Sequence, residues 1–193
     1  MKKLILVAGP PACGKTYVAK IISEKLTCVV YLDKDDLCPL VHRIFDLSNQ
    51  AFDMDGEFYT SNVRDVEYET LINTALSTLR FNDTVIVNAP LSKELRNVDY
   101  VKNLKEKVNN LCAKLIVIWV TAPLEVVKER MQTRNAPRDK LKLKDFKGYA
   151  KNINYNAPTN LLEESAVDSL IVFDNGNELS LQNSLSNALK ILN

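Results

Sequence analysis

The chain has 193 residues, 46% apolar and 25% charged, a composition that excludes an intrinsically disordered segment and suits one globular domain spanning residues 1–193. Its formal net charge of +1 argues against a general nucleic-acid or membrane surface. Four cysteines, Cys13, Cys28, Cys38 and Cys112, lack Cys-x-x-Cys spacing and have His42 as the only histidine in the sequence beside them, so they make a poor metal set and reduced thiols are expected.

Met1-Lys2-Lys3 before an apolar run has the outline of a secretory leader. The glycine-rich residues that follow serve another pattern, so no cleavage is expected. No apolar stretch approaches the roughly eighteen residues that cross a bilayer, and a cytoplasmic protein is expected.

Leu4 to Ala8 predicts the first strand. Directly after it, Gly9, Pro10, Pro11, Ala12, Cys13, Gly14, Lys15 and Thr16 complete the phosphate-loop pattern Gly-x-x-x-x-Gly-Lys-Thr. Small residues let successive backbone N–H groups wrap an anion, Lys15 has the reach for β- and γ-phosphates, and Thr16 has the hydroxyl for magnesium. A helix from Lys15 to Leu26 would aim the positive end of its dipole at those phosphates. Nucleoside triphosphate binding is the expectation, against a ligand-free strand-to-helix turn. Cys13 reads first as a small loop residue, and second as a thiol acidified by its anion-binding surroundings.

Cys28 to Leu32 predicts the second strand, followed by Asp33-Lys34-Asp35-Asp36. A carboxylate at a strand tip beside a phosphate loop can hold a magnesium-bound water or accept the proton of an attacking hydroxyl. If extension persists, the strand period of two places Asp33 and Asp35 on one side, with Asp33 assigned to the metal shell and Asp35 as general base. The alternative is that one of them, Asp36 above all, caps the next helix.

Asn62 to Leu79 predicts a helix with Val63, Val66, Leu71, Ala75 and Leu79 near one face. Strands are expected at Thr84 to Val87, Leu115 to Val120 and Leu170 to Phe173, and a helix at Ser180 to Leu192. Asn88, after the third strand, either orients water or closes a turn. Asp174-Asn175-Gly176-Asn177, after the fifth, either turns its backbone toward an adenine ring or is an ordinary turn. Trp119 and His42 read as packing or surface residues.

Strands alternating with helices imply a parallel sheet covered on both faces, with ligands beyond the carboxyl ends of the strands. Charge is segregated: residues 33–69 hold ten acids and three bases, and residues 128–151 hold nine bases and three acids. Within the basic segment Arg130 and Arg134 lie four apart on one helical face and could close over the triphosphate as part of a lid at about residues 130–145, with Arg138 and several lysines behind them. The plainer reading is a solvated face that pairs with Glu129 and Asp139.

These motifs resemble the P-loop kinases of small molecules and nucleic-acid ends, the AAA-domain-labelled group that includes polynucleotide kinase, zeta toxin and shikimate kinase relatives. Gly9 to Thr16 is similar to their phosphate loop, Asp33-Lys34-Asp35-Asp36 to their acidic motif, and Arg130 with Arg134 to their lid arginines. The resemblance implies a three-layer α/β P-loop NTPase fold with a five-stranded parallel sheet in the order 2-3-1-4-5. It also implies ATP and Mg2+ as cofactors, a metal held by Thr16 and Asp33, and Asp35 as the base.

The chain has Cys38-Pro39 where polynucleotide kinase has an arginine for the nucleic-acid end, and its surroundings are acidic, which argues against a polynucleotide acceptor. The leading expectation is phosphoryl transfer from MgATP to a hydroxyl of a small, neutral or cationic molecule. The others are a nucleotide-dependent switch ATPase and a polynucleotide 5′-end kinase.

Overall fold

A computed structural model describes residues 1–193, with the side chains of residues 137 and 138 outside the described set. Arg138 of the basic segment is therefore not placed. The β-branched runs form strands β1 (Lys2–Ala8), β2 (Val29–Asp33), β3 (Thr84–Asn88), β4 (Ala113–Thr121) and β5 (Ser169–Asp174). They make one sheet in the order β2-β3-β1-β4-β5, parallel at every pairing, as the resemblance implies.

Parallel neighbours need crossovers, and helices supply them. In chain order these are α1 (Lys15–Lys25), α2 (Cys38–Leu47), α3 (Glu57–Asn62), α4 (Arg64–Leu79), α5 (Val98–Asn109), α6 (Leu124–Arg134), α7 (Pro137–Lys144), α8 (Phe146–Lys151), α9 (Asn160–Glu163) and α10 (Glu178–Leu192). Short 3-10 turns at Lys34–Leu37 and Glu94–Arg96 follow β2 and β3. None of the described helices is long and apolar enough to cross a membrane.

Alternation along the strands divides the core. Leu4, Leu6, Val85, Val87, Leu115, Val117 and Trp119 face α4, α5 and α9, whereas Ile5, Val7, Ile86, Ile116, Ile118 and Phe173 face α1, α6 and α10. β1 is buried from Leu4 to Ala8 because both its faces and both its edges are covered. Trp119 is a packing residue, fully buried with its indole N–H donating to the Tyr155 carbonyl. His42 stacks on Phe52 with ring centroids 3.6 Å apart.

The helix expected from Asn62 breaks at Val63, whose φ of −121° leaves the helical region. The break lets Tyr59 and Val63 pack with Val41 and Phe45 in a separate apolar cluster under α2. Restarting at Arg64 sets a different phase from the expected one. Val66 points outward at 63% exposure, and Tyr68, Leu71, Ile72, Ala75 and Leu79 form the buried stripe. The basic segment forms the second half of α6 and then α7 and α8. Asn135, at φ 45°, ends α6 in the left-handed conformation that asparagine tolerates better than most residues.

Candidate active site

The strand ends carry the site. Gly9 leaves β1 at φ 144°, and a Cβ there would lie 2.4 Å from the Val120 carbonyl oxygen, so only glycine lets the chain turn this close to β4. The loop then closes through Gly14, at φ 88°, into the first turn of α1. Lys15 Nζ donates to the Pro10 carbonyl at 2.8 Å, which lays the ammonium across the loop. The first-turn N–H groups of α1 have no helix carbonyl upstream, and together with the dipole they favour an anion at this mouth. Cys13 is buried beneath the loop. Burial pushes its thiol pKa up, outweighing the lowering by Lys15, so the loop does not acidify it.

Parallel register sets Asn88 beside Asp33 on one side and Val7 on the other. Its Nδ2 donates to Thr16 Oγ1 at 2.9 Å and to Asp33 Oδ2 at 2.8 Å, joining the phosphate loop to the acidic turn. Asn88 is 3% exposed, and its buried Oδ1 has no protein partner. The Tyr31 hydroxyl also donates to Asp33 Oδ2, and burial with the Asp33 carboxylate raises the phenol's pKa, so it stays a donor.

Extension does not persist beyond Asp33. Its Oδ1 accepts from the Asp35 backbone N–H at 3.0 Å and caps the 3-10 turn, so the capping that the alternative reading gave above all to Asp36 is done by Asp33. Asp33 and Asp35 consequently do not share a strand face: Asp33 is half-buried against Asn88, and Asp35 is exposed on the turn. Lys34 turns inward and meets Glu67 at 2.9 Å, with side chains only 6% and 2% exposed. The Tyr59 hydroxyl donates to the other Glu67 oxygen. Beside them Arg64 forks onto Glu94 at 2.7 and 3.1 Å and lies 4.3 Å from the Tyr68 ring centre.

Part of the acidic segment's charge is answered by ion pairs: Glu67 by Lys34, Asp65 by Arg64 and Lys93, and Asp55 by Lys142 of α7 at 2.9 Å. Asp53 and Glu57 instead line a groove of about 540 Å³ with Phe45, Phe58, Ser61 and Asn62. A second groove, of about 370 Å³, runs along α6 past Val126, Glu129, Arg130, Thr133 and Arg134.

The two expected lid arginines have different partners. Arg130 reaches the phosphate loop, donating to the Cys13 carbonyl at 3.1 Å and to the Asn175 carbonyl at 2.8 Å. Arg134 makes a two-point contact with Asp139, Nε and Nη2 each donating at 2.8 Å, and Asp139 is buried.

Thr16, Asn88 and Asp33 thus form a set of oxygen-bearing side chains at the loop's base, with a buried amide oxygen still to be satisfied. That set fits magnesium, which takes few protein ligands and keeps several waters. No group of three or more His, Cys, Asp or Glu side chains suited to a metal occurs among the described residues, which disfavours an all-protein metal cage.

Solved structures share the architecture. A sugar kinase from Janibacter sp. aligns at a TM-score of 0.59 and 15% identity, over 100% of this chain and 95% of that one. Shikimate kinase from Acinetobacter baumannii, solved with shikimate, aligns at 0.52 and 17%, over 100% and 94%. The APS kinase of Mycobacterium tuberculosis, solved with AMPPNP and APS, aligns at 0.55 and 17%, over 99% and 97%. At such identities the likeness is one of fold. No curated protein sequence matches the chain. The AAA domain model matches residues 4–153, from the first strand through the phosphate loop, the acidic turn and the arginine-bearing helix, and the chain belongs to the AAA domain family.

Proposed function

We propose that the protein is a kinase that transfers the γ-phosphoryl group of MgATP to a hydroxyl of a small, neutral or cationic molecule. The observation that carries this reading is the Thr16–Asn88–Asp33 hydrogen-bonded chain, which ties the phosphate loop to the turn bearing Asp35. A loop that only gripped nucleotide has no need of an exposed carboxylate on a turn locked to it.

In this reading Lys15 and the backbone N–H groups of Gly9 to Thr16 hold the β- and γ-phosphates. Thr16 and Asp33 are the residues that would hold magnesium, with Asn88 Oδ1 orienting a water beside them. Held there, magnesium would supply positive charge against the negative charge that the phosphate oxygens gain. Asp35 accepts the proton as the acceptor hydroxyl attacks phosphorus and the bond to the ADP oxygen breaks. Arg134 would meet the transferring group by exchanging Asp139 for phosphate oxygens, which its planar fork suits. The neighbours named as sugar and shikimate kinases agree with a hydroxyl acceptor. Asp53 and Glu57 in the groove between α2 and α3 favour one without negative charge.

The test is mass spectrometry of a metabolite extract incubated with the protein, ATP and magnesium. Asp35→Asn should keep ATP binding and lower transfer by about 10²- to 10⁴-fold. Lys15→Ala should lose tight ATP binding. ATP binding without any phosphorylated product would favour a switch ATPase, and full transfer by Asp35→Asn would remove Asp35 as the base.

A further inference from the structure

The phosphate loop is held from outside at one peptide. The Cys13 carbonyl accepts from Asn175 Nδ2 at 2.8 Å and from Arg130 Nη1 at 3.1 Å. The second arm of the guanidinium reaches the Asn175 carbonyl at 2.8 Å, closing the three groups into a ring. Taking the kinase reading as its basis, we propose that Arg130 and Asn175 are positioning residues that fix the Cys13–Gly14 peptide plane and thereby aim the Gly14 N–H at the nucleotide's phosphates.

A trans peptide is planar, and its N–H points opposite its carbonyl. Holding the Cys13 oxygen toward Arg130 and Asn175 therefore turns the Gly14 N–H away from them, to the side where the first turn of α1 opens. Gly14 needs this restraint because glycine leaves the loop free to rotate. A flipped 13–14 peptide would offer the anion a carbonyl oxygen in place of a donor.

Glycine is also what lets the restraint reach in. A Cβ at position 14 would lie 2.2 Å from Asn175 Nδ2. Asn175 is buried and supplies a fixed donor, whereas Arg130 comes from α6 with a rigid fork that can serve two carbonyls at once. Lysine, with one mobile ammonium, cannot reproduce that geometry.

The alternative for Arg130, which also lines the α6 groove, is a contact to the nucleotide base. Titration calorimetry with MgATP, tripolyphosphate and AMP separates the two, because tripolyphosphate has no base and AMP has only the α-phosphate. Asn175→Ala and Arg130→Met should each weaken MgATP and tripolyphosphate in parallel, by about tenfold, and leave AMP within about twofold. Asn175→Ala removes no charge, so its loss cannot come from a weakened field, and Arg130→Lys should recover little.

If MgATP weakens while tripolyphosphate does not, Arg130 holds the base and the proposal is overturned. It is equally overturned if neither variant changes either ligand. Thermal unfolding without ligand checks each variant's fold, and Arg130→Met, on a partly exposed helix face, remains decisive if Asn175→Ala fails to fold. Failure of the wild type to bind MgATP and tripolyphosphate would instead sink the kinase reading itself, which the wild-type titration alone reveals.

Discussion

Replacing Glu67 with leucine should be among the most damaging single changes outside the phosphate loop. Among the described residues Glu67 is the only carboxylate hydrogen-bonded to the Lys34 ammonium, and both side chains are almost wholly buried. Removing one member of such a pair leaves an uncompensated buried charge, at a cost of about 3–5 kcal/mol. The Tyr59 hydroxyl loses its acceptor in the same step, at about 1 kcal/mol or more. Against a total stability of about 5–15 kcal/mol, the melting temperature should fall by on the order of 10 °C.

The double variant Lys34→Met/Glu67→Leu removes both charges and should return to within about 2 kcal/mol of the wild type. Urea unfolding of the four proteins closes a double-mutant cycle. The double variant also dissolves the tether between the Asp35 turn and α4 without unfolding the protein, so its turnover should drop while ATP affinity holds. A Glu67→Leu protein that melts within about 2 °C of wild type would refute the pairing argument. So would a double variant as unstable as the single one, since packing and not charge would then set the cost.

Arg134→Ala should lower turnover by about 10²-fold or more with little change in ATP affinity, while Asp139→Asn, which releases the guanidinium, should cost less. Equal losses in steady-state assays would mean that Arg134 serves only as the partner of Asp139. Gly9→Ala should destabilise by about 2–6 kcal/mol, through the strained φ and the collision with Val120, as read by urea midpoint. Titration of thiols with an aromatic disulfide should find Cys28 and Cys112 fast and Cys13 reactive only on unfolding. A rapidly reacting Cys13 would contradict its burial and raised pKa.

The phosphate loop was legible because its chemistry is contiguous: one glycine for the exit from β1, one for the entry to α1, and a lysine and threonine at fixed offsets. The sheet order came through the resemblance of the motifs, and the strands came from their apolar runs. Contacts made across the chain were not legible. Asn88 lies 72 residues from Thr16 and 55 from Asp33, and only the parallel register brings the three together. Extension through Asp35 failed because the Asp33 side chain caps its own turn, a local hydrogen bond that competes with the strand. The sequence reads residues 174–177 as a turn, and nothing in it announces that the Asn175 side chain donates to a carbonyl 162 residues away. Lys34 likewise reaches Glu67 from within the 3-10 turn, so no strand alternation announced that pair.

The central place of β1 has a consequence for the newborn chain. β1 is the middle of the sheet and has no neighbour to pair with until β3, and then β4, has left the ribosome. The Cys13 carbonyl waits longer, because Asn175 follows it by 162 residues. At bacterial or eukaryotic synthesis speeds that is a delay of roughly 8–30 s, by the end of which β3 and β4 are already available to pair with β1. The phosphate loop is therefore made long before the side chain that donates to its Cys13 carbonyl, and a chain stopped short of residue 175 carries the loop without that restraint.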